Sequence, residues 1–275
     1  MRCIRLTLAY DGTEYFGWQS QARGRTIQGV VEDAIERITG TRSKVLASGR
    51  TDAGVHALGQ VAAFRTECQL TTETFIKALN AILPDDIAIL AAEDVPSCFH
   101  PIRDARRKRY RYFIYDDPRR PVFFRRFVWH CPRRLDAERM GQAARSLLGK
   151  HDFAAFETSG AKRKTSVRSV YELQVARPLS ELPSLMTIDI EADGFLYNMV
   201  RNIVGNLVEI GRGARSVEWL KEVLASRDRR LAGPTAPPQG LFLVSVTYDN
   251  LPTISAAGPW CGGSSIIVKK ESDAL

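Results

Sequence analysis

Apolar and polar residues alternate from the start of the chain. Arg2, Ile4, Leu6, Leu8 and Tyr10 share one face of an extended segment, which predicts an opening strand that turns at Asp11-Gly12. The period then lengthens. Ile27, Val30, Val31, Ala34, Ile35 and Ile38 form one helical stripe, with Thr26 placed to cap its start and Gly40 to end it. Apolar segments at 44–48 and 60–65 read as strands on either side of a polar loop. A second helix is predicted over 72–83, with Phe75, Ile76, Leu79, Ile82 and Leu83 inward and Pro84 as its stop. Strands near 87–93 and 108–115 close this half.

The second half repeats the theme without repeating the sequence. A strand is expected at 127–130, then a helix capped by Asp136 and ended by Gly149, with Met140, Ala143, Ala144, Leu147 and Leu148 on one side. Strands follow at 169–176 and 186–191. A more apolar helix spans 197–210 and a short one 217–225. The run Gly233-Pro234-Thr235-Ala236-Pro237-Pro238 is a stiff loop before a last strand at 241–248. The predicted class is α+β: two similar halves of antiparallel sheet plus helices, 1–105 and 106–250, flanking a central basic cleft. The Gly- and Ser-rich tail, 251–275, lacks periodicity and is expected to be loosely ordered.

Charge adds a partner to this picture. The chain of 275 residues carries a net +8. Between Arg103 and Arg134 alone, twelve Lys or Arg stand against three Asp, a local balance of +9. A solvated face usually mixes its signs, so a one-sign cluster points to a polyanion such as a phosphate backbone. The five cysteines are dispersed, odd in number and without a CxxC pair, as in a cytoplasmic protein with reduced thiols. The four histidines show no metal-ligand spacing, and no apolar run is long enough to span a membrane.

Three places carry candidate chemistry. The first is Gly49-Arg50-Thr51-Asp52-Ala53-Gly54-Val55-His56-Ala57, a polar, Gly-punctuated loop between two strands. Such a loop can present a reactive side chain, or it can be a turn in which Asp52 bonds its own backbone. Arg50 nearby favours the ionised carboxylate that a nucleophile or base needs. His56 reads as a loop histidine bonding backbone, with an acid–base partner of Asp52 as the alternative. The second place is Arg106-Arg107-Lys108-Arg109-Tyr110-Arg111-Tyr112. On a strand, Tyr110 and Tyr112 share one face and Arg109 and Arg111 the other, so Tyr110 is placed to stack on a base and the arginines to hold phosphates. The third is Arg201, a charge in an apolar helix. It must pair or reach a cleft; Asp52 is one candidate partner, Asp189 and Asp193 the others. No GxxxxGK[ST], GxGxxG or HExxH pattern occurs. One carboxylate without metal, cofactor or thiol suits displacement or addition at a sugar or base.

The ordered motifs Tyr10-Asp11-Gly12-Thr13, Gly17-Trp18-Gln19, Gly49 to Ala57, Leu79-Asn80, Leu83-Pro84-Asp85-Asp86-Ile87, Arg109-Tyr110-Arg111-Tyr112, Met199-Val200-Arg201-Asn202 and Gly240-Leu241 resemble those of the TruA-type tRNA pseudouridine synthases. The resemblance covers nearly the whole chain. It implies two α+β halves around a basic cleft, usually in a homodimer, and isomerisation of uridines 38, 39 and 40 in the tRNA anticodon arm. It implies Asp52 as nucleophile, Tyr110 stacked on the flipped uracil, Arg201 paired with Asp52, Arg50 displacing the target base and Leu241 lining the pocket, with no metal or organic cofactor. One departure stands out: after Phe99-His100 the family continues Ala-Arg-Phe, whereas here Pro101-Ile102-Arg103 follows. The rival readings are a non-catalytic RNA-binding protein or chaperone, and a hydrolase releasing free uracil from nucleosides.

Overall fold

The opening alternation becomes strand β1, Arg2–Tyr10, in a computed structural model that describes residues 1–22, 24–158 and 165–256. Contacts divide the chain into two units, one of Met1–Arg106 with the residues from Phe242 onward, the other of Arg107–Leu241.

In the first unit β1 is followed by α1 (Ile27–Thr39), β2 (Leu46–Ala47), β3 (His56–Thr66), α2 (Thr72–Ile82) and β4 (Ile87–Val95). The predicted punctuation of α1 is present: the Thr26 hydroxyl accepts from Gly29 N–H, and Gly40 ends the helix at φ +71°. β1 pairs antiparallel with β3 on one side and β4 on the other, with Leu6 opposite Ala62 and Ala92. Phe64 of β3 meets Phe75 of α2 edge-on at 5.8 Å, which seats that helix on the sheet.

The alternation predicted one buried face on β1, but both are covered. Cys3 on the second face packs with Ala63 and Val95, against Phe99 and Leu251. Arg5 on the same face is 1% exposed. A buried cation needs partners. Its Nε donates to Glu93 at 2.7 Å and its Nη2 to the Pro252 carbonyl at 3.2 Å, with the Tyr248 ring 5.8 Å from the guanidinium. Ala256 N–H donates to the Leu58 carbonyl at 2.7 Å. Residues 251–256 therefore pack on the sheet where loose order was expected; residues 257–275, with Cys261, lie outside the described residues.

The second unit holds β5 (Ala105–Tyr115), β6 (Trp129–His130), α3 (Ala137–Ala144), β7 (Gly149–Asp152), β8 (Val167–Ala176), β9 (Leu185–Ala192), α4 (Met199–Gly211) and α5 (Trp219–Ser226). Its strand order is β5-β9-β8-β7, all antiparallel, with β6 added parallel to β5. The helix expected to reach Gly149 stops at Ala144. A 3-10 turn follows over Arg145–Leu147, and Gly149, at φ +95°, opens the unpredicted strand β7.

The last strand, β10 (Leu241–Tyr248), pairs parallel with β3, Phe242 opposite His56 and Leu243 opposite Ala57. That ladder, with the His56 ring stacked on Phe242 at 4.5 Å, joins it to the first unit although it follows the second in sequence. The class is α+β, and the pairing is mixed: β3–β10 and β5–β6 are parallel, whereas the pairs of β1 with β3 and β4, β2 with β3, β5 with β9, β9 with β8 and β8 with β7 are antiparallel. Among the described residues no helix is long and apolar enough to cross a membrane.

Candidate active site

The loop carrying Asp52 is held from below by the turn after β1. Trp18 N–H donates to the Thr51 carbonyl at 3.0 Å, and Val55 N–H closes a turn on the Asp52 carbonyl at 3.1 Å, with Gly54 at φ +74°. The Thr51 hydroxyl bonds the buried Tyr10 hydroxyl at 2.8 Å. Gln60, polar in an otherwise apolar strand, donates to the Gly49 carbonyl at 2.9 Å and accepts from the Ser48 hydroxyl at 2.7 Å. Two glycines make room for this approach. A Cβ on Gly12 would stand 2.0 Å from the Val55 carbonyl oxygen, and one on Gly17, at φ +82°, 2.6 Å from the Thr51 carbonyl oxygen. Asp52 is half-buried on this fixed backbone, and Arg50 is exposed.

His56 is the first residue of β3 and is fully buried. Its Nδ1 lies 3.1 Å from Gly12 N and 3.1 Å from Asp11 Oδ1, accepting from the amide when it carries no proton and donating to the carboxylate when it does. It is thus part of the loop's frame, bonding backbone as the sequence suggested. Burial pushes the Asp11 carboxyl up, but the His56 ring and the amide and hydroxyl of Thr13 outweigh it and hold it down at about 2. The stabilisation this brings is complete above the ordinary aspartate value and is lost as pH falls toward 2. Acid unfolding followed by circular dichroism should show that loss in the wild type. An Asp11→Asn variant should lack about 2 kcal/mol of pH dependence between roughly pH 4 and pH 2.

The remaining predicted residues lie in the second unit. Tyr110 on β5 is 9% exposed and meets Phe195 edge-on at 5.0 Å. Its neighbours in sequence alternate to the other face, as predicted, but there they face acids across the ladder. Arg111 Nε bonds Asp189 at 2.8 Å; Arg109 bonds Glu191 at 3.1 Å and pairs with Glu172. Asp193 accepts from Ser169 N–H at 3.0 Å. Both alternative carboxylates proposed for Arg201 therefore have other partners. Arg201 itself donates from Nε to the Ala236 carbonyl at 2.8 Å and from Nη1 to Asn198 at 2.9 Å. Burial raises the Tyr112 hydroxyl well above the ordinary tyrosine value, against the opposing charge of Arg201. Leu241, buried, starts β10 directly after Gly240, where a Cβ would stand 2.6 Å from the Tyr112 ring.

The stiff loop beside Arg201 rests on two residues to which the sequence assigned no role, Asn202 of the Met199–Asn202 motif and Asn206. Asn202 and Asn206, four apart in an apolar helix, are fully buried. Asn202 accepts from the Thr235 hydroxyl at 2.6 Å and from Arg229 at 3.1 Å, while Asn206 accepts from Gly233 N–H at 2.9 Å. Ala236 N–H donates to the Arg201 carbonyl at 3.0 Å, and the Tyr112 hydroxyl to the Pro237 carbonyl at 2.6 Å. Two amides at helical spacing on an apolar stripe were the available signal. At the departure from the family pattern, Ile102 is exposed, and Arg103 bonds its own turn through the Cys98 carbonyl at 2.8 Å and Asp104 at 3.0 Å.

Known proteins share this arrangement of sequence. A family model described as tRNA pseudouridine synthase matches residues 7–103 and 143–249. A tRNA pseudouridine synthase A of Geotalea uraniireducens (strain Rf4) is 47% identical over 90% of this chain and 100% of its own length. One from Thermoanaerobacter sp. (strain X514) is 43% identical over the same shares. Among solved structures, a Cbf5-Nop10-Gar1 complex aligns at 16% identity and a TM-score of 0.34, over 74% of this chain and 45% of that one. With the family model matching both halves, and relatives this similar along their whole length, the chain belongs to the tRNA pseudouridine synthase family.

Proposed function

We propose that this protein isomerises uridine to pseudouridine at positions 38, 39 and 40 of the tRNA anticodon arm, with Asp52 as the acting carboxylate. The reading rests on one observation above the others: a single carboxylate on a backbone that Trp18, Tyr10 and Gln60 hold rigidly. Family membership supplies the reaction class.

The reaction breaks the bond from ribose to a uracil nitrogen, turns the base and joins ribose to a uracil carbon. The carbon gives up its proton to solvent and the nitrogen gains one. The target base must first leave the stack. A carboxylate has three routes open to it: attack on the anomeric carbon, addition to the uracil ring, or removal of a ribose proton. Tyr110 in this reading stacks on the extruded uracil and keeps the cleaved base beside the sugar, so that rejoining is effectively intramolecular. Arg201 pairs with Asp52, Arg50 displaces the target base, Arg109 and Arg111 border the RNA, and Leu241 lines the pocket. The protein works as a homodimer in the cytoplasm; the free thiols of Cys3, Cys68, Cys98 and Cys131 agree with that compartment.

The test uses tRNA transcript labelled with tritium at the uracil carbon that bonds to ribose. Tritium in the solvent without free uracil is the expected result. Free uracil would instead identify a hydrolase, and neither product a binding protein. Stacking survives loss of a hydroxyl. Tyr110→Phe should therefore keep activity within a few-fold in the same assay, whereas a collapse would give the hydroxyl a chemical role.

A further inference from the structure

Between β5 and β6 the chain makes a loop that the site described above does not use. Its backbone is fixed. Val122 N–H donates to the Arg120 carbonyl at 3.0 Å, Phe124 N–H to the Pro121 carbonyl at 3.0 Å, and Phe127 N–H to the Phe124 carbonyl at 2.8 Å. Pro121 and Val128 are buried and Phe124 and Phe127 half-buried, so they root the loop. From that root Phe123 stands 89% exposed, more than any other large apolar side chain among the described residues, with Val122 exposed beside it.

The charge around this tip is of one sign. Arg119, Arg120, Arg125 and Arg126 are all exposed. The acids of the segment are already engaged. Asp116 is buried against Arg134 and Arg177 at 3.1 and 2.6 Å, and Asp117 holds Arg119 and the Ser184 hydroxyl. A rigidly held aromatic plane among arginines suits an unpaired base, with phosphates on the guanidinium groups. A second copy of this chain fits the tip poorly, because four arginines from each copy would meet.

We propose that the Phe123 tip is a second RNA contact, stacking on an unpaired nucleotide of the substrate tRNA other than the target uridine. The proposal rests on the reading that tRNA is the substrate. It names a different nucleotide because Tyr110 and Tyr115 lie five residues apart on β5. At about 3.3 Å per residue the loop begins roughly 17 Å along the strand from Tyr110. The loop also returns there, with Trp129 opposite Ile114, so both of its roots lie at the end of β5 away from Tyr110.

Steady-state tritium release from full-length tRNA transcript tests this, with Phe123→Ala beside Phe123→Trp and with binding measured across salt concentrations. Loss of stacking in Phe123→Ala should raise KM and Kd about tenfold and leave kcat within about twofold; Phe123→Trp should restore both. Arg120→Ala should flatten the salt dependence by about one phosphate contact. Unchanged KM and Kd in Phe123→Ala overturn the proposal. So does a Phe123→Ala defect confined to dimer mass by light scattering, which would make the tip a contact between copies. A defect confined to binding anionic phosphatidylserine vesicles overturns it as well. A wild type that binds tRNA through Phe123 yet releases no tritium would remove the isomerase reading and leave this contact standing.

Discussion

Asp52→Ala is expected to lower pseudouridine formation by at least about 1,000-fold while leaving tRNA affinity within a few-fold. The size follows from the role: in the proposed chemistry one carboxylate acts on the sugar or base. The retained affinity follows from the architecture. The loop is anchored through the Thr51 and Asp52 carbonyls and the Thr51 hydroxyl, groups that the substitution leaves in place. Activity within tenfold of wild type, in a variant of unchanged circular dichroism, would show that Asp52 is not the acting group. A parallel loss of tRNA binding would instead make it an RNA contact.

Gly12→Ala should be severely damaging to the Asp52 loop although it leaves every chemical group intact. The new methyl would stand 2.0 Å from the Val55 carbonyl oxygen, and that carbonyl belongs to the turn closed on Asp52. Backbone cannot swing aside as a side-chain tip can, so the loop must move. The expected cost is about 3 kcal/mol of stability and about 100-fold in activity, since a displacement near 1 Å at a reacting group has that effect. Gly141→Ala is the control. Gly141 lies inside α3 with nothing within 4 Å of an added Cβ, so the same substitution should stabilise by about 0.5–1 kcal/mol. Thermal unfolding of the two variants, set beside their tritium release, checks both signs. Equal stability of Gly12→Ala and wild type would mean that the loop is not held as described.

Local chemistry was legible where a local rule governs. The stop and start of α1 could be read because a threonine cap and a left-handed glycine act within one turn. The Asp136 cap was equally plain. The far end of α3 was not: Leu147 and Leu148 continue the apolar stripe, and only pairing of β7 with β8 draws the chain out of the helix. The β3–β10 ladder joins residues some 186 positions apart, and no periodicity reports such a pairing. In the candidate site, the type and spacing of Asp52, Arg50 and Tyr110 were visible. The frame was less so, because Tyr10, Gln60 and Asn202 look like ordinary strand and helix residues until their hydrogen bonds are seen.

The parallel ladder between β3 and β10 sets an order of assembly on the ribosome. The first unit has β1, β3 and β4 early, but β10 follows the whole of Arg107–Leu241. At about 5–20 residues per second, synthesis of those roughly 135 residues takes about 7–27 seconds. During that time the β3 edge at His56 and Ala57 has no Phe242 or Leu243 to pair with, and Arg5 waits for Pro252. An unpaired strand edge is a template for other chains. Nascent protein released short of Phe242 should therefore be held by chaperones or aggregate, and the base of the Asp52 loop should be among the last parts of the molecule to set.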